Sequence, residues 1–185
     1  MGGKLRIVVV GGAPLSETTH SRMRALFGCT IQVGYGATET CACISGTLPC
    51  DLRTGLCGGP CHGVLVNLAD WGEYRITDKP YPRGEVLVGG PNVVNGYFLR
   101  PEKTKEAFFE MDGVRWFKTG DIAEIDDTGA IRIIDRIGDI IKLDNGEYIA
   151  LGKIEMYLKE HPVIENLFVN AKAGARGCVC IAVSQ

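Results

Sequence analysis

The alternation of apolar and polar residues in the first part of the chain predicts a β-α-β unit. Leu5–Val10 is an apolar, β-branched run that ends at Gly11-Gly12, which is typical of a buried strand stopped by a glycine turn. Ser16 is a candidate N-cap for a helix that ends at Gly28, and Thr30–Val33 predicts the next strand. The apolar positions expected to face the core from this helix are Met23, Leu26 and Phe27.

The residue pattern of the chain changes after a loop-like stretch at residues 55–63. Short β-branched runs separated by turn residues predict a β-rich segment, and Pro101 predicts the start of a short helix through Phe109, because Pro is favoured in the first helical turn. A polar turn at residues 126–129 predicts a hairpin. The predicted strands are Val64–Leu68, Glu73–Ile76, Glu85–Val88, Val93–Phe98, Asp121–Ile125 and Ala130–Ile134.

The last fifty or so residues predict a second unit of the order β-β-α-β-β. Asn145-Gly146 separates two short apolar runs, which indicates a hairpin. A boundary near residues 135–138 divides the chain into two predicted domains, residues 1–135 and 136–185. The predicted elements after this boundary are strands at Ile140–Leu143 and Tyr148-Ile149, a helix at Leu151–Glu160, and strands at Val163–Val169 and Cys178–Val183.

Composition narrows the class of protein. The 185 residues are 45% hydrophobic, with a net charge of −2 and a pI near 5.9, so a polybasic tail is excluded and we expect no nucleic-acid partner. No run reaches the roughly 18–20 apolar residues of a spanning helix, and Met1 is not followed by a signal peptide. Glycine is in excess, with 25 residues, which is about twice the usual share of roughly 7%.

The eight cysteines favour two interpretations. Without a signal peptide a disulfide framework is not expected. A zinc site formed by Cys50, Cys57, Cys61 and His62 is one alternative, although the paired C-x2-C spacing typical of zinc knuckles is missing. The other is that the thiols are small, buried or half-buried side chains that pack like alanine.

Two motifs at predicted strand ends carry candidate chemistry. Gly11-Gly12-Ala13-Pro14 follows the first strand, and ligands of α/β sheets lie outside such ends. In Tyr35-Gly36-Ala37-Thr38-Glu39-Thr40, an aromatic face suits a base, and the adjacent hydroxyl and carboxylate suit a phosphate oxygen and Mg²⁺. Each motif also fits an ordinary turn.

Two further motifs lie towards the end of the chain. In Trp116-Phe117-Lys118-Thr119-Gly120-Asp121, a buried carboxylate beside glycine suits the two hydroxyls of a ribose. The run from Asp135 to Lys142 contains Arg136, and guanidinium groups bind phosphate or ribose oxygens. A turn aspartate and a solvated linker are the alternatives.

The order of these motifs is more specific than any one of them. The series GGAPL, YGATET, GEVLVGGPNVVNGY, WFKTGD, IIDRIGDIIKLDNGEYI and KIE resembles the adenylate-forming acyl-CoA synthetases, and in particular the long-chain fatty acyl-CoA synthetases. The resemblance runs from Gly2 to about Val183. It implies a mixed α/β (α+β) fold: the end of a large adenylation domain, with a β-α-β unit and a small β-barrel-like subdomain, hinged to the first part of a small lid domain.

The resemblance also implies a reaction and a set of site residues. Such enzymes use ATP and Mg²⁺ to convert a fatty acid to an acyl-adenylate and then pass the acyl group to coenzyme A. The implied nucleotide-binding residues are Gly12 and Ala13 beside adenine and carboxylate, Tyr35 and Gly36 at adenine, Thr38 at the α-phosphate, Asp121 at the ribose and Arg136 at ribose and phosphate. Thr38, Glu39 and Arg136 are the implied catalytic residues, and Glu39 is the implied Mg²⁺ ligand. The implied hinge is Gly138, and the loop of Gly146 and Glu147 is implied to line the CoA tunnel.

The resemblance leaves parts of such an enzyme unmatched. The phosphate-gripping loop, much of the acyl channel and the adenylation lysine have no counterpart in this sequence, so we expect a fragment that is inactive alone. Peripheral membrane association and a location in the cytoplasm, or on the cytosolic face of the endoplasmic reticulum, mitochondria or peroxisomes, are expected of the longer enzyme. The alternatives are an enzyme for another carboxylic acid, a non-catalytic AMP-binding module, and a structural or zinc-binding β domain.

Overall fold

The structure is a computed structural model that describes residues 3–184. These residues form a mixed α/β fold, as predicted, with many short strands and few helices. They divide into two compact units. Unit 1 comprises the described chain up to Thr119 together with Ala123–Ile133, and unit 2 comprises Gly120–Ile122 and the described chain from Ile134 onward. The boundary predicted between residues 135 and 136 stays a prediction.

The β-α-β opening of unit 1 is confirmed. Strand β1 (Ile7–Val10) pairs in parallel with β2 (Thr30–Tyr35), and helix α1 (Glu17–Phe27) connects them. The hydroxyl of Ser16 accepts a hydrogen bond of 3.2 Å from the Thr19 amide, as an N-cap does, and Gly28 ends the helix in the left-handed conformation. The parallel register brings the carboxyl ends of β1 and β2 to the same edge of the sheet.

The face of α1 that is buried differs from the prediction. Leu26 is 80% exposed, whereas His20 is completely buried. Met23 lies about one helical turn after His20, and Phe27 lies about two turns after it. These three residues therefore share one face of the helix, and Leu26 lies outside that face. The His20 Nε2 lies 3.2 Å from the carbonyl oxygen of Ile31 on β2 and donates to it, since a carbonyl only accepts. A polar contact with the neighbouring strand therefore fixes the orientation of this helix.

Two short strands extend the first sheet to the order β1-β2-β3-β4. Strand β3 (Ser45–Gly46) is antiparallel to both β2 and β4 (Gly59–Pro60). The hydroxyl of Ser45 donates to the Cys57 carbonyl at 2.9 Å, which joins the two arms of the β3–β4 connection.

The second sheet has five strands and is open. Its strands are β5 (Leu65–Ala69), β6 (Arg83–Gly89), β7 (Phe108–Met111), β8 (Val114–Ile125) and β9 (Ile131–Arg136). Their path is β5-β6-β8-β7, with β9 also paired to β8. The buried Val86 and Val88 fill the core together with Phe108 and Phe117, whose rings are in contact. Within residues 3–184 no pairing closes this sheet on itself, so the predicted barrel-like subdomain is wrong. Helix α2 (Pro101–Ala107) comes between β6 and β7 in the chain.

Two predicted strands of this region are absent from the described chain. Glu73–Ile76 is a turn with a single bridge between Trp71 and Tyr74, and Val93–Phe98 is irregular. Gly90, which has a positive φ, and Pro91 precede the second segment, and Gly96, which also has a positive φ, lies within it. Such backbone angles interrupt a ladder, although the composition favours a strand.

Unit 2 confirms the predicted β-β-α-β-β order. Glu155 of its helix accepts a hydrogen bond of 2.8 Å from the Val169 amide, which ties the helix to the following hairpin. Within residues 3–184, no helix is both long enough and apolar enough to cross a bilayer. The elements are β10 (Ile140–Lys142), β11 (Tyr148–Ala150), helix α3 (Leu151–Leu158), β12 (Ile164–Asn170) and β13 (Val179–Ser184).

Candidate nucleotide-binding site

The carboxyl ends of β1 and β2 hold the first two motifs next to each other. Gly12 and Ala13 directly follow β1 and are exposed, while Tyr35 is the last residue of β2 and is half-buried. Gly12 has a φ of 83°, a conformation that favours glycine. A Cβ added at Gly11 would lie 3.4 Å from the Gly34 carbonyl oxygen, so the two strand ends pack closely. This edge is where ligands of parallel sheets bind.

A compact loop carries Thr38 and Glu39. Thr38–Thr40 form a single 3₁₀ turn, and the buried Thr40 hydroxyl donates to the Ala37 carbonyl at 3.0 Å. The loop then doubles back, so that a Cβ added at Gly36 would lie 1.3 Å from the Ala42 carbonyl oxygen. Only glycine fits at this approach of two backbone segments. Thr38 is exposed at the tip and Glu39 is half-buried.

Within residues 3–184 the carboxylate of Glu39 has one side-chain partner. The phenol of Tyr97 donates a hydrogen bond of 2.7 Å to its Oε1. Burial, together with the hydrogen bond and the charge of Glu39, raises the pKa of Tyr97 to about 12, because each favours the neutral phenol. Within the described chain, Oε2 of Glu39 accepts no hydrogen bond from a side chain or backbone amide. One oxygen of this carboxylate is thus positioned and the other remains open to a ligand.

The irregular segment at residues 90–97 docks on this loop and brings Tyr97 to it. The Val94 amide donates to the Glu39 carbonyl at 3.0 Å, and the Asn92 side chain donates to the Thr40 carbonyl at 3.3 Å. A Cβ at Gly96 would lie 2.3 Å from Cγ2 of Thr104 in α2, so the chain passes directly against that helix. These contacts replace the ladder hydrogen bonds that the predicted strand would have had.

In unit 2, Asp121 and Arg136 form an ion pair. Arg136 Nε lies 3.2 Å from Oδ1 of Asp121, and the Asp121 side chain is 8% exposed whereas that of Arg136 is 76% exposed. Pairing of β8 with β9 brings these residues together. A carboxylate that is almost buried beside an exposed guanidinium presents an acceptor and a cation to the same small region, which suits a ribose phosphate.

Asp135, directly before Arg136, holds two parts of unit 2 together. Its Oδ1 accepts a hydrogen bond of 2.8 Å from the Arg136 amide, and its Oδ2 accepts one of 3.1 Å from the Gly152 amide in the first turn of α3. Burial is the largest influence on this carboxyl and raises its pKa, although the amide hydrogen bonds oppose the shift. Asp135 therefore acts as a side-chain cap for α3.

The implied hinge and tunnel residues lie in two different turns. Gly138 is in a 3₁₀ turn at Ile137–Asp139, and a Cβ added to it would meet nothing within 4 Å. Gly146 has a φ of 86° in the β10–β11 turn. The exposed Glu147 is tied there, since its Oε2 accepts a hydrogen bond of 2.8 Å from the Asn145 amide group.

The cysteines fit the packing interpretation of the sequence only in part. Three are half-buried (Cys29, Cys57 and Cys61), and five are exposed (Cys41, Cys43, Cys50, Cys178 and Cys180), so packing like buried alanine is wrong for the exposed five. Within residues 3–184 no three His, Cys, Asp or Glu side chains come together as a metal site. The zinc cluster of Cys50, Cys57, Cys61 and His62 is therefore not assembled in the described chain.

Comparison with known proteins identifies the family. The family described as AMP-binding enzyme matches residues 1–98, which is more than half of the chain. The chain belongs to the AMP-binding enzyme family. The adenylate-forming resemblance of the motifs is thereby confirmed.

Curated relatives match nearly the whole chain. It is 42% identical over 186 aligned residues to long chain acyl-CoA synthetase 8 of Arabidopsis thaliana, covering 99% of this chain and 26% of that protein. It is 44% identical to long-chain-fatty-acid–CoA ligase 2 of Schizosaccharomyces pombe (90% and 24%) and 40% identical to long-chain-fatty-acid–CoA ligase 1 of Homo sapiens (99% and 26%). The chain spans about a quarter of the length of these relatives.

Solved structures of the same architecture confirm the mixed α/β fold. The adenylation domain of a carboxylic acid reductase from Segniliparus rugosus, in complex with AMP and a co-purified carboxylic acid, matches with a TM-score of 0.83 at 27% identity, over 100% of this chain and 28% of that one. O-succinylbenzoate coenzyme A synthetase from Bacillus subtilis, in complex with ATP and magnesium, matches with a TM-score of 0.80 at 28% identity (97% and 36%).

The structure thus brings the motif residues together in two groups. One lies at the strand ends of unit 1 (Gly12, Ala13, Tyr35, Gly36, Thr38 and Glu39), and the other lies in unit 2 (Asp121 and Arg136). The roles assigned to them stay predictions. Sequence reasoning missed Tyr97 and Asp135 as site residues, although both lie inside the quoted motifs, because their partners Glu39 and Gly152 are 58 and 17 residues away.

Proposed function

We propose that the chain is the nucleotide-binding part of a long-chain fatty acid–CoA ligase. In this reaction the fatty acid carboxylate attacks the α-phosphate of ATP and expels pyrophosphate, and the thiol of coenzyme A then displaces AMP from the acyl-adenylate. The observation that carries the proposal is identity of 40–44% to plant, yeast and human long-chain acyl-CoA synthetases over 90–99% of the chain.

The geometry of unit 2 supports ribose binding. The Asp121 carboxylate is almost buried, and desolvation makes a hydrogen bond to an ionised group stronger than one in water. Two ribose hydroxyls can donate to its two oxygens. Arg136 already contacts Oδ1 and is exposed, so its remaining donors are available to the phosphate that follows the ribose.

The loop of unit 1 supports phosphate and Mg²⁺ binding. Thr38 offers an exposed hydroxyl, and Glu39 offers Oε2 while Tyr97 orients the carboxylate through Oε1. Mg²⁺ takes one or two protein carboxylates and completes its shell with phosphate oxygens and water, so a single glutamate fits such a site. When bound, the ion offsets negative charge on the departing pyrophosphate. Tyr35 supplies the aromatic face for adenine.

The remaining roles extend the same proposal. Gly138 is the hinge of a mobile lid, and the turn of Gly146 and Glu147 contributes to the path of coenzyme A. A fatty acid substrate partitions into membranes, so the longer enzyme is proposed to work in the cytoplasm or peripherally on a cytosolic membrane face. The hinge and tunnel roles are inferred from the family resemblance together with the exposed turns that carry the residues, whereas the location is inferred from the resemblance alone.

AMP binding tests the nucleotide part of the proposal. Isothermal titration of the chain with AMP is expected to give saturable binding that Asp121→Asn weakens at least about tenfold, equivalent to roughly 1.4 kcal/mol, because the ribose loses a charged acceptor. Asp127→Asn, in an exposed turn, is the matched control and is expected to leave affinity unchanged. Equal affinities of the two variants, with both folded by circular dichroism, contradict the assignment of Asp121.

A chimera tests the ligase and its acid substrate. The matching segment of human long-chain-fatty-acid–CoA ligase 1 is replaced by this chain, and synthesis of hexadecanoyl-CoA is compared with synthesis from short and aryl acids. A chimera that prefers the long-chain acid supports the proposal. A chimera that binds AMP but prefers an aryl acid favours the second candidate, a ligase for another carboxylic acid, which the likeness to O-succinylbenzoate coenzyme A synthetase suggests. AMP binding with no turnover of any acid favours a non-catalytic module.

A further inference from the structure

Two cysteines outside the proposed nucleotide contacts lie in direct contact. The Sγ atoms of Cys43 and Cys61 are 3.1 Å apart. Pairing of β3 with β4 holds them there, because the Cys61 amide donates to the Ile44 carbonyl at 2.9 Å and Ser45 is registered with Pro60. Within residues 3–184 no other two thiols make such a contact.

The two thiols differ in exposure. Cys43 is exposed, so a dissolved oxidant reaches it, whereas Cys61 is half-buried behind it. The hydrogen bond with Cys43, and then burial, raise the pKa of Cys61 to about 11, so Cys61 keeps its proton at neutral pH. The difference in exposure assigns the attacking role to Cys43 and the resolving role to Cys61.

We propose that Cys43 and Cys61 are a reversible disulfide site, formed by a hydroperoxide and reduced by a small thiol. The Cys43 sulfur attacks the distal peroxide oxygen, so that an S–O bond forms, the O–O bond breaks, and an alcohol or water leaves with the Cys43 thiol proton. The Cys61 sulfur then attacks the Cys43 sulfenic acid, and an S–S bond forms as water departs with the Cys61 proton. Two equivalents of a thiol reverse the reaction and leave as their own disulfide.

The geometry requires little movement for this bond. The two sulfurs must approach from 3.1 Å to the roughly 2.05 Å of a disulfide. The bond joins Cys61, directly after β4, to Cys43, directly after Ala42, whose carbonyl packs against Gly36. It therefore fastens the return arm of the loop that carries Thr38 and Glu39, and the expected consequence is greater stability of the oxidised chain.

Differential alkylation and peptide mapping test the proposal. The fully reduced chain is treated with one equivalent of hydrogen peroxide, quenched with N-ethylmaleimide, digested and sequenced by mass spectrometry. We expect a Cys43–Cys61 crosslink that dithiothreitol removes, and a rise in thermal midpoint of about 5 °C on oxidation, because the crosslink restricts the unfolded chain. Cys43→Ser and Cys61→Ser each abolish both effects, whereas the matched control Cys50→Ser, at an exposed thiol, keeps them.

Two results overturn the proposal. One is oxidation of Cys43 to a sulfinic acid without any crosslink to Cys61. The other is a mixture in which Cys43 pairs with Cys41 or Cys50 as often as with Cys61, since this indicates random collision of exposed thiols. Circular dichroism of the reduced variants verifies that each is folded, and AMP titration is recorded separately, so failure of the disulfide is distinguishable from failure of nucleotide binding.

Discussion

The phenol of Tyr97 donates a 2.7 Å hydrogen bond to Oε1 of Glu39, across 58 residues of sequence. A backbone hydrogen bond joins the same two segments, since the Val94 amide donates to the Glu39 carbonyl at 3.0 Å. Tyr97 also packs edge-on against Phe108, with ring centroids 5.5 Å apart. The candidate metal ligand is therefore oriented by a segment that is anchored in the core of the second sheet.

The ionisation of Tyr97 reports this contact. Because the folded state raises its pKa from 10 to about 12, the folded chain holds a proton that the unfolded chain loses, and this contribution to stability is present below about pH 10 and lost as pH rises towards 12. In Glu39→Gln we expect the pKa of Tyr97 to fall while staying above its ordinary value, since burial persists. Absorbance at the tyrosinate band measures the shift.

The variant Tyr97→Phe tests whether the late titration step belongs to Tyr97, and it measures how much the hydrogen bond to Glu39 contributes to stability. It is expected to remove the late-titrating step from the absorbance curve and to lower the free energy of unfolding by about 1–2 kcal/mol, as loss of a hydrogen bond to a charged group does. Tyr157→Phe, at a tyrosine that is 67% exposed, is the control and is expected to change neither. A late step that persists in Tyr97→Phe contradicts the assignment.

Gly36 is expected to tolerate no side chain. Its added Cβ would lie 1.3 Å from a backbone oxygen, so Gly36→Ala must displace the loop and is expected to cost about 2–4 kcal/mol of unfolding free energy, measured by urea denaturation, with loss of AMP affinity. Gly138→Ala is the matched control, because its Cβ meets nothing and its φ is not positive, and a change within about 0.5 kcal/mol is expected. Equal costs for the two variants would count against the close approach.

Asp135→Ala is expected to loosen the start of α3. Removal of the carboxylate leaves the Gly152 amide without its acceptor, and loss of a cap costs about 1 kcal/mol. Hydrogen exchange of the amides in the first turn of α3 is expected to accelerate, which locates the effect. Asp139→Ala, at an exposed carboxylate nearby, is the control, and its exchange rates in α3 are expected to match those of the unsubstituted chain.

His20 is expected to make stability fall in mild acid. Burial lowers its pKa, so the folded chain keeps it neutral where the unfolded chain takes up a proton. Its contribution is present above the ordinary pKa of about 6.5 and is lost as pH falls below it. Urea midpoints measured from about pH 7.5 to about pH 5 are expected to fall less steeply in His20→Gln than in the exposed control His62→Gln. Parallel slopes exclude this role for His20.

The local elements were largely predictable because their signals are local. Ser16 and Gly28 bound α1, Pro101 starts α2, and Asn145-Gly146 turns the β10–β11 hairpin, each through conformational preferences of the residue itself. The strand predicted at Val93–Phe98 was wrong because the conformation of this segment depends on residues distant in the sequence. Its β-branched residues favour a strand, but its backbone partners are the loop at Glu39 and the side chain of Arg115, which a local pattern cannot reveal.

The candidate site also has a part that the sequence predicts and a part that only the structure shows. The sequence alone determined the family, the order of the motifs and the identities of Tyr35, Thr38, Glu39, Asp121 and Arg136 as its candidate residues, because chemistry is carried by residue type and spacing. Only the tertiary structure decided that Tyr97 orients Glu39, that Asp135 caps α3, that His20 rather than Leu26 faces the sheet, and that Cys43 touches Cys61. Each of these contacts joins residues far apart in the chain, and strand pairing and backbone docking bring them into reach.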